Sequence, residues 1–222
     1  MRRALSALAL LALGGCANIV TSTSPWLTPD DARGGVPLRT GVWVFDTEGS
    51  CVVRDRLPIE RWPACATAVV VRGGDLLTLT VDPDGTRKAP PHLTWRSWPY
   101  LLGAAEPRIL QRQYAPDIPD HGTADPGTPV FFYLAIKPRT LDAPGRIVRF
   151  DSALVLCDGK TPNAPKKAES AAAPIVPLAG LTMNHDGSGC VAGAKDALVN
   201  AARVTLANAP LSGAHWVRDG WR

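Results

Sequence analysis

Short β-rich runs separated by glycine- and proline-rich turns constrain the fold of this chain more than any other feature. Gly73-Gly74-Asp75 separates two such runs, and Asp142-Ala143-Pro144-Gly145 separates another two, which are hairpin signals. With 21 prolines and 20 glycines among 222 residues, most of the chain is unsuited to long helices. The sequence therefore predicts a mainly β fold, an antiparallel sandwich or a partial barrel. The predicted strands include residues 41–46, 66–72, 76–82, 108–114, 129–137 and 146–157.

One helix is predicted near the C-terminal end. Apolar residues recur there at helical spacing, while Asp196, Asn200 and Arg203 fall on the opposite face, and Pro210 ends the pattern. Such an amphipathic face is typical of a helix that packs on the core, so we expect it to lie against one face of the β fold. The apolar positions are Val191, Ala194, Leu198, Ala201, Ala202 and Leu206.

The first sixteen residues have the pattern of an export signal. Arg2 and Arg3 precede an apolar run over residues 4–13, which is too short to span a membrane and predicts a signal peptide over 1–15. Leu13-Gly14-Gly15-Cys16 resembles the lipobox of bacterial lipoproteins, and the rest of the chain resembles uncharacterised bacterial lipoproteins. The resemblance implies that Cys16 becomes the lipidated first residue, and Ala17 after it implies sorting to the outer membrane. The alternative is an ordinary cleaved signal with an incidental cysteine.

The remaining chain divides into a tether and one domain. Residues 16–38 are small, polar and rich in proline and glycine, so we expect a lipidated N-terminus and a flexible tether. Residues 39–222 are expected to form a single disulfide-stapled globular domain. Residues 158–180 contain much proline, alanine and lysine and little to bury, which predicts a long mobile surface loop.

Four cysteines remain after Cys16, and in an exported chain they indicate two disulfides. Three pairings are possible. We expect the local one, which joins Cys51 to Cys65 and Cys157 to Cys190. A zinc site is the alternative, but no C-x-x-C pair is present, and we expect no metal.

The richest polar cluster lies between residues 114 and 129. It contains Asp117, Asp120, His121 and Asp125, a set that can bind a divalent cation or act as acid and base. The proline and glycine content around these residues also predicts an exposed loop in which aspartates serve as turn residues. The sequence contains no recognised nucleophile, phosphate-binding or dinucleotide-binding motif.

Trp62, Trp95 and Trp98 fall within one proline-rich stretch of the chain. They are candidates for an aromatic groove that stacks on a ligand. The alternative is that they seal the end of the β core.

These features favour a non-enzymatic envelope binding or accessory module, anchored at the outer membrane, without a cofactor. Its expected partners are the membrane, through the lipid anchor, and an envelope protein or small-molecule ligand. A nucleic-acid partner is not expected, because the formal net charge is only +4 and Lys166-Lys167 is the only basic run after the signal. The alternatives are a small envelope hydrolase or metal-dependent enzyme that uses Asp117, Asp120 and His121, and a ligand carrier with a tryptophan-lined cavity.

Overall fold

A computed structural model describes residues 18–46, 52–63, 66–81, 93–114, 129–159, 175–185, 187 and 189–220. The helices within these ranges are α1 (Pro29–Ala32) and α2 (Lys195–Asn208), with a 3₁₀ turn at Ile59–Arg61. The strands are β1 (Val20–Ser22), β2 (Gly41–Asp46), β3 (Ala66–Arg72), β4 (Asp75–Val81), β5 (Leu93–Leu102), β6 (Arg108–Tyr114), β7 (Val130–Leu141), β8 (Ile147–Leu154), β9 (Leu181–Met183), β10 (Cys190–Ala192) and β11 (Ser212–Arg218).

Eight of the strands form a closed antiparallel barrel. Strands β2 to β8 follow one another as a meander, and each pairs with the next. Strand β11 then inserts between β8 and β2, which completes the ring. The predicted mainly antiparallel β fold with one C-terminal helix is confirmed, and its barrel form is closed rather than partial.

Alternation of side chains along each strand fills the barrel interior. Every strand of the ring contributes to one buried apolar cluster, so the cluster lies on the inner face. Trp43, Phe150 and Ile136 are its largest fully buried members. Further members include Val69, Val71, Leu76, Leu102, Leu110, Ile147 and Ala214.

One end of the barrel is sealed by side chains, and we call it the closed end. Here β2 begins and β11 ends. The Arg39 guanidinium lies 3.4 Å from the centre of the Trp216 ring, and the Arg39 carbonyl accepts a 2.8 Å hydrogen bond from Trp43 Nε1. Gly41 has a φ of 125°, and a Cβ at this position would lie 2.7 Å from Trp216 Nε1. Glycine is therefore required for the indole to cover this end.

A second buried cluster lies outside the barrel. Helix α2 packs its Leu198, Ala201 and Ala202 side chains against Tyr133 and Ala135 of β7. Strands β1, β10 and β9 continue the sheet beyond the first residues of β7 and cover the same cluster. The Cys157–Cys190 pair lies within this cluster at disulfide distance, with its Cα atoms 5.8 Å apart.

The predicted flexible tether is wrong for residues 18–38, which we call the N-terminal segment. Val20 is fully buried in β1, which pairs with β7 and β10, and Leu27 is buried beside α2. The amide side chain of Gln111 holds Leu27 at two points, because it accepts from the Leu27 nitrogen at 2.8 Å and donates to its oxygen at 3.1 Å. Although the segment is mostly polar, its few apolar residues are buried and complete the core.

The predicted loop over 158–180 lies partly outside the described residues. Its described end is packed, since the Leu178 nitrogen donates to the Cys157 oxygen at 2.8 Å. Cys51 and Cys65 also lie outside the described residues, as does Cys16.

Candidate ligand-binding cleft at the open end of the barrel

We call the end of the barrel opposite Arg39 and Trp216 the open end, because a cleft lies there among the described residues. Strands β2 and β8 end there, and β3 and β11 begin there. A cleft of about 390 Å³ lies at this open end. Its lining residues are Phe45, Thr67, Leu134, Ser152, Ala153, Leu154, Leu156, Ala209, Pro210 and Ser212.

The cleft forms because β8 leaves the barrel after Leu154. The Val155 nitrogen donates to the Tyr133 oxygen, and the Val155 oxygen accepts from Val20, so the chain turns outward to join β1. Strand β11 remains in the ring next to β2. Strands β8 and β11 separate at this point, and the turn from α2 into β11 forms the wall between them.

Small side chains at paired positions leave the space that forms the cleft. Ser152 of β8 lies directly opposite Ser212 of β11. Facing residues in an antiparallel pair point to the same side of the sheet, so both positions present small side chains to the interior. Leu134 and Leu154 are paired in the same way on the adjoining strands. The cleft therefore has an apolar wall beside a space that larger residues would fill.

One aromatic ring, that of Phe45, forms the floor of the cleft and is backed by two others. The Phe45 ring lies 5.8 Å from Phe150 in an edge-on arrangement, and the Trp43 ring lies 5.3 Å from Phe150. Phe150 and Trp43 are fully buried, whereas Phe45 is half-buried and lines the cleft. A ligand that enters from the open end would meet the edge of this stack.

The described residues of the lining include no ionisable side chain, and their side-chain polar groups are the hydroxyls of Thr67, Ser152 and Ser212. Within the described ranges, no group of three or more His, Cys, Asp or Glu side chains lies close enough to hold a metal ion. The described lining can therefore recognise a ligand by shape and apolar contact, with a few hydroxyls to orient it.

The perturbed tyrosines of the barrel lie outside this lining. Burial raises the pKa of Tyr100, and the nearby Asp75 carboxylate raises it further. Burial also raises the pKa of Tyr133, which points away from the interior into the cluster beneath α2. Both tyrosines pack against buried apolar clusters, and neither is among the described lining residues of the cleft.

The predicted aromatic groove does not form between Trp62 and Trp98. Trp98 is buried and lies opposite Leu76 on the inner face, where its Nε1 donates to Thr78 Oγ1 at 2.9 Å. Trp62 packs on the outer face, against Val70 and its neighbours. Trp98 thus faces the barrel interior from β5, whereas Trp62 directly follows the 3₁₀ turn outside the barrel. The side chain of Trp95 lies outside the described set.

The polar cluster of Asp117, Asp120, His121 and Asp125 lies outside the described residues. The cleft was not predicted from the sequence. Its one visible signal is the Ala209-Pro210 turn after the helix, whereas the pairing of Ser152 with Ser212 depends on a strand register that residue spacing does not reveal.

No protein-family model, curated protein or solved structure matches this chain. Over the part of the chain that the structure describes, no helix combines the length and hydropathy needed to cross a membrane.

Proposed function

We propose that this protein is a lipid-anchored binding module of the bacterial cell envelope, held at the outer membrane, which takes one small apolar molecule into the cleft at the open end of its barrel. The observation that carries the proposal is the cleft itself, an apolar space above an aromatic floor in a closed eight-stranded ring.

The size and lining of the cleft support binding of a small molecule. Ligand pockets in proteins measure roughly 300–1,000 Å³ and are lined mostly by apolar side chains with a few polar groups. The interior of an eight-stranded barrel is wide enough for packed side chains or for one small ligand. Here side chains fill the closed end, which leaves the open end for the ligand. The apolar side chains and hydroxyls of the described lining suit binding of such a molecule.

The membrane part of the proposal depends on the sequence. Leu13-Gly14-Gly15-Cys16 follows a short basic head and an apolar run, and the resemblance to a lipobox assigns the lipid to Cys16. A Cys16→Ser variant is expected to lose the acyl chains and to leave the membrane fraction. Its melting temperature should equal that of the parent, because Cys16 precedes the first buried residue. Membrane retention of this variant, with an unmodified N-terminus in the parent, would contradict the anchor.

Binding at the cleft is tested with a matched pair of leucines. Leu154 lines the cleft and is 42% exposed, whereas Leu141 lies at the closed end and is 48% exposed. Leu154→Gln and Leu141→Gln therefore remove similar apolar surface at opposite ends of the barrel. We expect Leu154→Gln to weaken binding of an environment-sensitive naphthalene dye about tenfold, which corresponds to ~1.4 kcal/mol. Leu141→Gln should leave dye affinity unchanged.

A cleft-filling variant provides the complementary test. Ser212→Trp places an indole where two small side chains face each other, and it should abolish dye binding. Thr182→Trp adds the same indole to an exposed position of β9 and serves as the control. Equal dye binding by parent, Ser212→Trp and Leu154→Gln would show that the cleft is not the binding site.

A further inference from the structure

We infer that the ligand of the cleft is an acyl chain of a bilayer lipid, because the anchor holds the open end of the barrel against the membrane. This inference rests on the proposed function and adds the class of ligand and the orientation of the protein.

The first support is the short distance between the anchor and the folded domain. Asn18 is 2% exposed and Val20 is 1% exposed, so the globular domain begins two residues after Cys16. Two extended residues reach roughly 7 Å. A lipidated Cys16 therefore cannot hold the domain away from the bilayer, and the surface around Asn18 must lie at the lipid headgroups.

The second support is the position of Asn18 beside the cleft. The backbone carbonyl of Asn18 accepts a 2.8 Å hydrogen bond from the backbone nitrogen of Cys157. The side-chain amide of Asn18 donates to the Asp158 carboxylate at 2.7 Å. Ile19 forms a bridge with Leu156, which lines the cleft. The chain therefore enters the domain at the rim of the cleft, and the membrane must lie next to that rim.

The third support is the position of three exposed apolar side chains. Among the described residues, five large apolar side chains are exposed: Leu154, Val176 and Val191, together with Leu141 at the closed end and Val52 in the segment after β2. Val191 pairs with Thr21, and Leu154 directly precedes the Val155 that bonds to Val20. Val176 lies two residues before Leu178, which bonds to Cys157. Leu154, Val176 and Val191 thus lie on segments that surround the entry of the chain, where contact with lipid would bury them.

These observations together favour an acyl chain as the ligand. The anchor confines the apolar opening to the bilayer surface, where the local concentration of lipid acyl chains exceeds any that a free apolar solute reaches. The apolar side chains of the described lining suit a hydrocarbon chain whose headgroup stays at the interface.

The experiment uses the full lipidated chain in vesicles of phosphatidylethanolamine and phosphatidylglycerol that contain a trace of phosphatidylcholine with a diazirine in its acyl tail. Irradiation followed by peptide mass spectrometry locates the cross-links. We expect them in peptides that contain Leu154, Leu156 and Pro210, and not in peptides of the closed end that contain Ala143. A variant with a long Gly/Ser linker inserted between Ala17 and Asn18 remains anchored but frees the domain, and it should lose most of these cross-links.

The outcomes separate this inference from the proposed function. Equal cross-linking of the linker variant would show that the cleft takes acyl chains without help from the anchor, which overturns the orientation. Absence of cleft cross-links, together with dye binding that Leu154→Gln weakens, would overturn the acyl chain as ligand and leave the binding function intact. Cross-links that map to the closed end would reverse the orientation. Loss of both readouts would overturn the proposed function as well.

Discussion

The hydroxyl of Ser22 lies 2.5 Å from the hydroxyl of Tyr133, and both residues are buried. Ser22 donates to the Ser24 oxygen at 2.6 Å, so the Tyr133 hydroxyl is the donor to Ser22. The hydroxyl oxygen of Tyr133 also accepts a hydrogen bond from the backbone of Trp26. This chain of hydrogen bonds fastens the N-terminal segment to the outer face of β7, in addition to the ladder that β1 makes with Phe131 and Phe132.

Removal of the Ser22 hydroxyl should destabilise the protein more than its small size suggests. Ser22→Ala leaves the buried Tyr133 hydroxyl without an acceptor and the Ser24 carbonyl without this donor. An unsatisfied buried hydroxyl costs about 1–3 kcal/mol, so we expect the loss at Tyr133 to lower the free energy of unfolding by about 2 kcal/mol, measured with urea. Thr23→Ala removes a hydroxyl from an exposed neighbour and is the control. An equal effect of the two variants would contradict the role assigned to Ser22.

The buried Tyr133 makes stability sensitive to alkali. Burial raises its pKa above the ordinary value of 10.0, so the unfolded chain releases this proton at lower pH than the folded chain does. The stabilisation is complete below the ordinary value and is lost as pH rises towards the folded pKa. Tyr133→Phe should therefore flatten the decline of the urea midpoint above about pH 10. Tyr100 has a raised pKa too, so Tyr100→Phe should remove a separate part of the same decline. A decline that neither variant changes would show that other groups cause it.

An ion pair between α1 and α2 should give the protein an acid-sensitive contact. Lys195 bonds to Asp31 and lowers the pKa of that carboxyl below its ordinary value of 3.8, and the Thr28 nitrogen, 2.8 Å away, lowers it further. The stabilisation is complete above the ordinary value and is lost as pH falls through the folded pKa. Asp31→Asn should therefore reduce stability at neutral pH, by up to about 1 kcal/mol, and should not reduce it once the carboxyl is protonated.

The neighbouring Asp30 provides the control for this prediction. Its ion pair with Arg33 is 79–81% exposed, so Asp30→Asn should change the thermal midpoint little at any pH. Equal shifts for Asp30→Asn and Asp31→Asn would show that helix charge rather than the Lys195 contact is responsible.

Two glycines before β10 should respond differently to the same substitution. Gly187 and Gly189 both have positive φ, but a Cβ at Gly187 has no neighbour within 4 Å, whereas one at Gly189 would lie 2.6 Å from the Ile19 oxygen. Gly187→Ala should cost about 1–2 kcal/mol from backbone strain alone. Gly189→Ala should cost more, because it also displaces the N-terminal segment from β10, and we expect faster amide exchange at Cys190. Equal losses would contradict that contact.

The barrel strands were predictable because their patterns are long. Residues 41–46 and 108–114 form strands with the predicted bounds, since each has enough β-branched, aromatic or alternating residues to outweigh other local preferences. The three-residue strands β1, β9 and β10 carry no comparable pattern. They exist because partners distant in the sequence supply their hydrogen bonds, which is why the N-terminal segment was predicted as a tether.

The cleft was less accessible to sequence reasoning than the fold. Its walls come from five separate strands and the turn at Pro210, and its volume depends on which residues face one another. The three tryptophans are close in sequence, but Trp98 faces the barrel interior from β5, whereas Trp62 packs on the outer face from the 3₁₀ turn. Composition therefore indicates a β fold with buried aromatic residues, whereas the volume of the cleft depends on the register of the paired strands.

Closure of the barrel by β11 has a consequence for biosynthesis. The strand that completes the ring is made last, about 170 residues after its partner β2, and until it docks both β2 and β8 present unpaired backbone edges. The nascent chain can build the meander from β2 to β8 early, but it must remain protected from edge-to-edge association until residues 212–218 arrive. A translation product that stops after α2 would be an open sheet in which β2 and β8 are unpaired edge strands. We expect it to be degraded or to aggregate rather than to persist as a partly active protein.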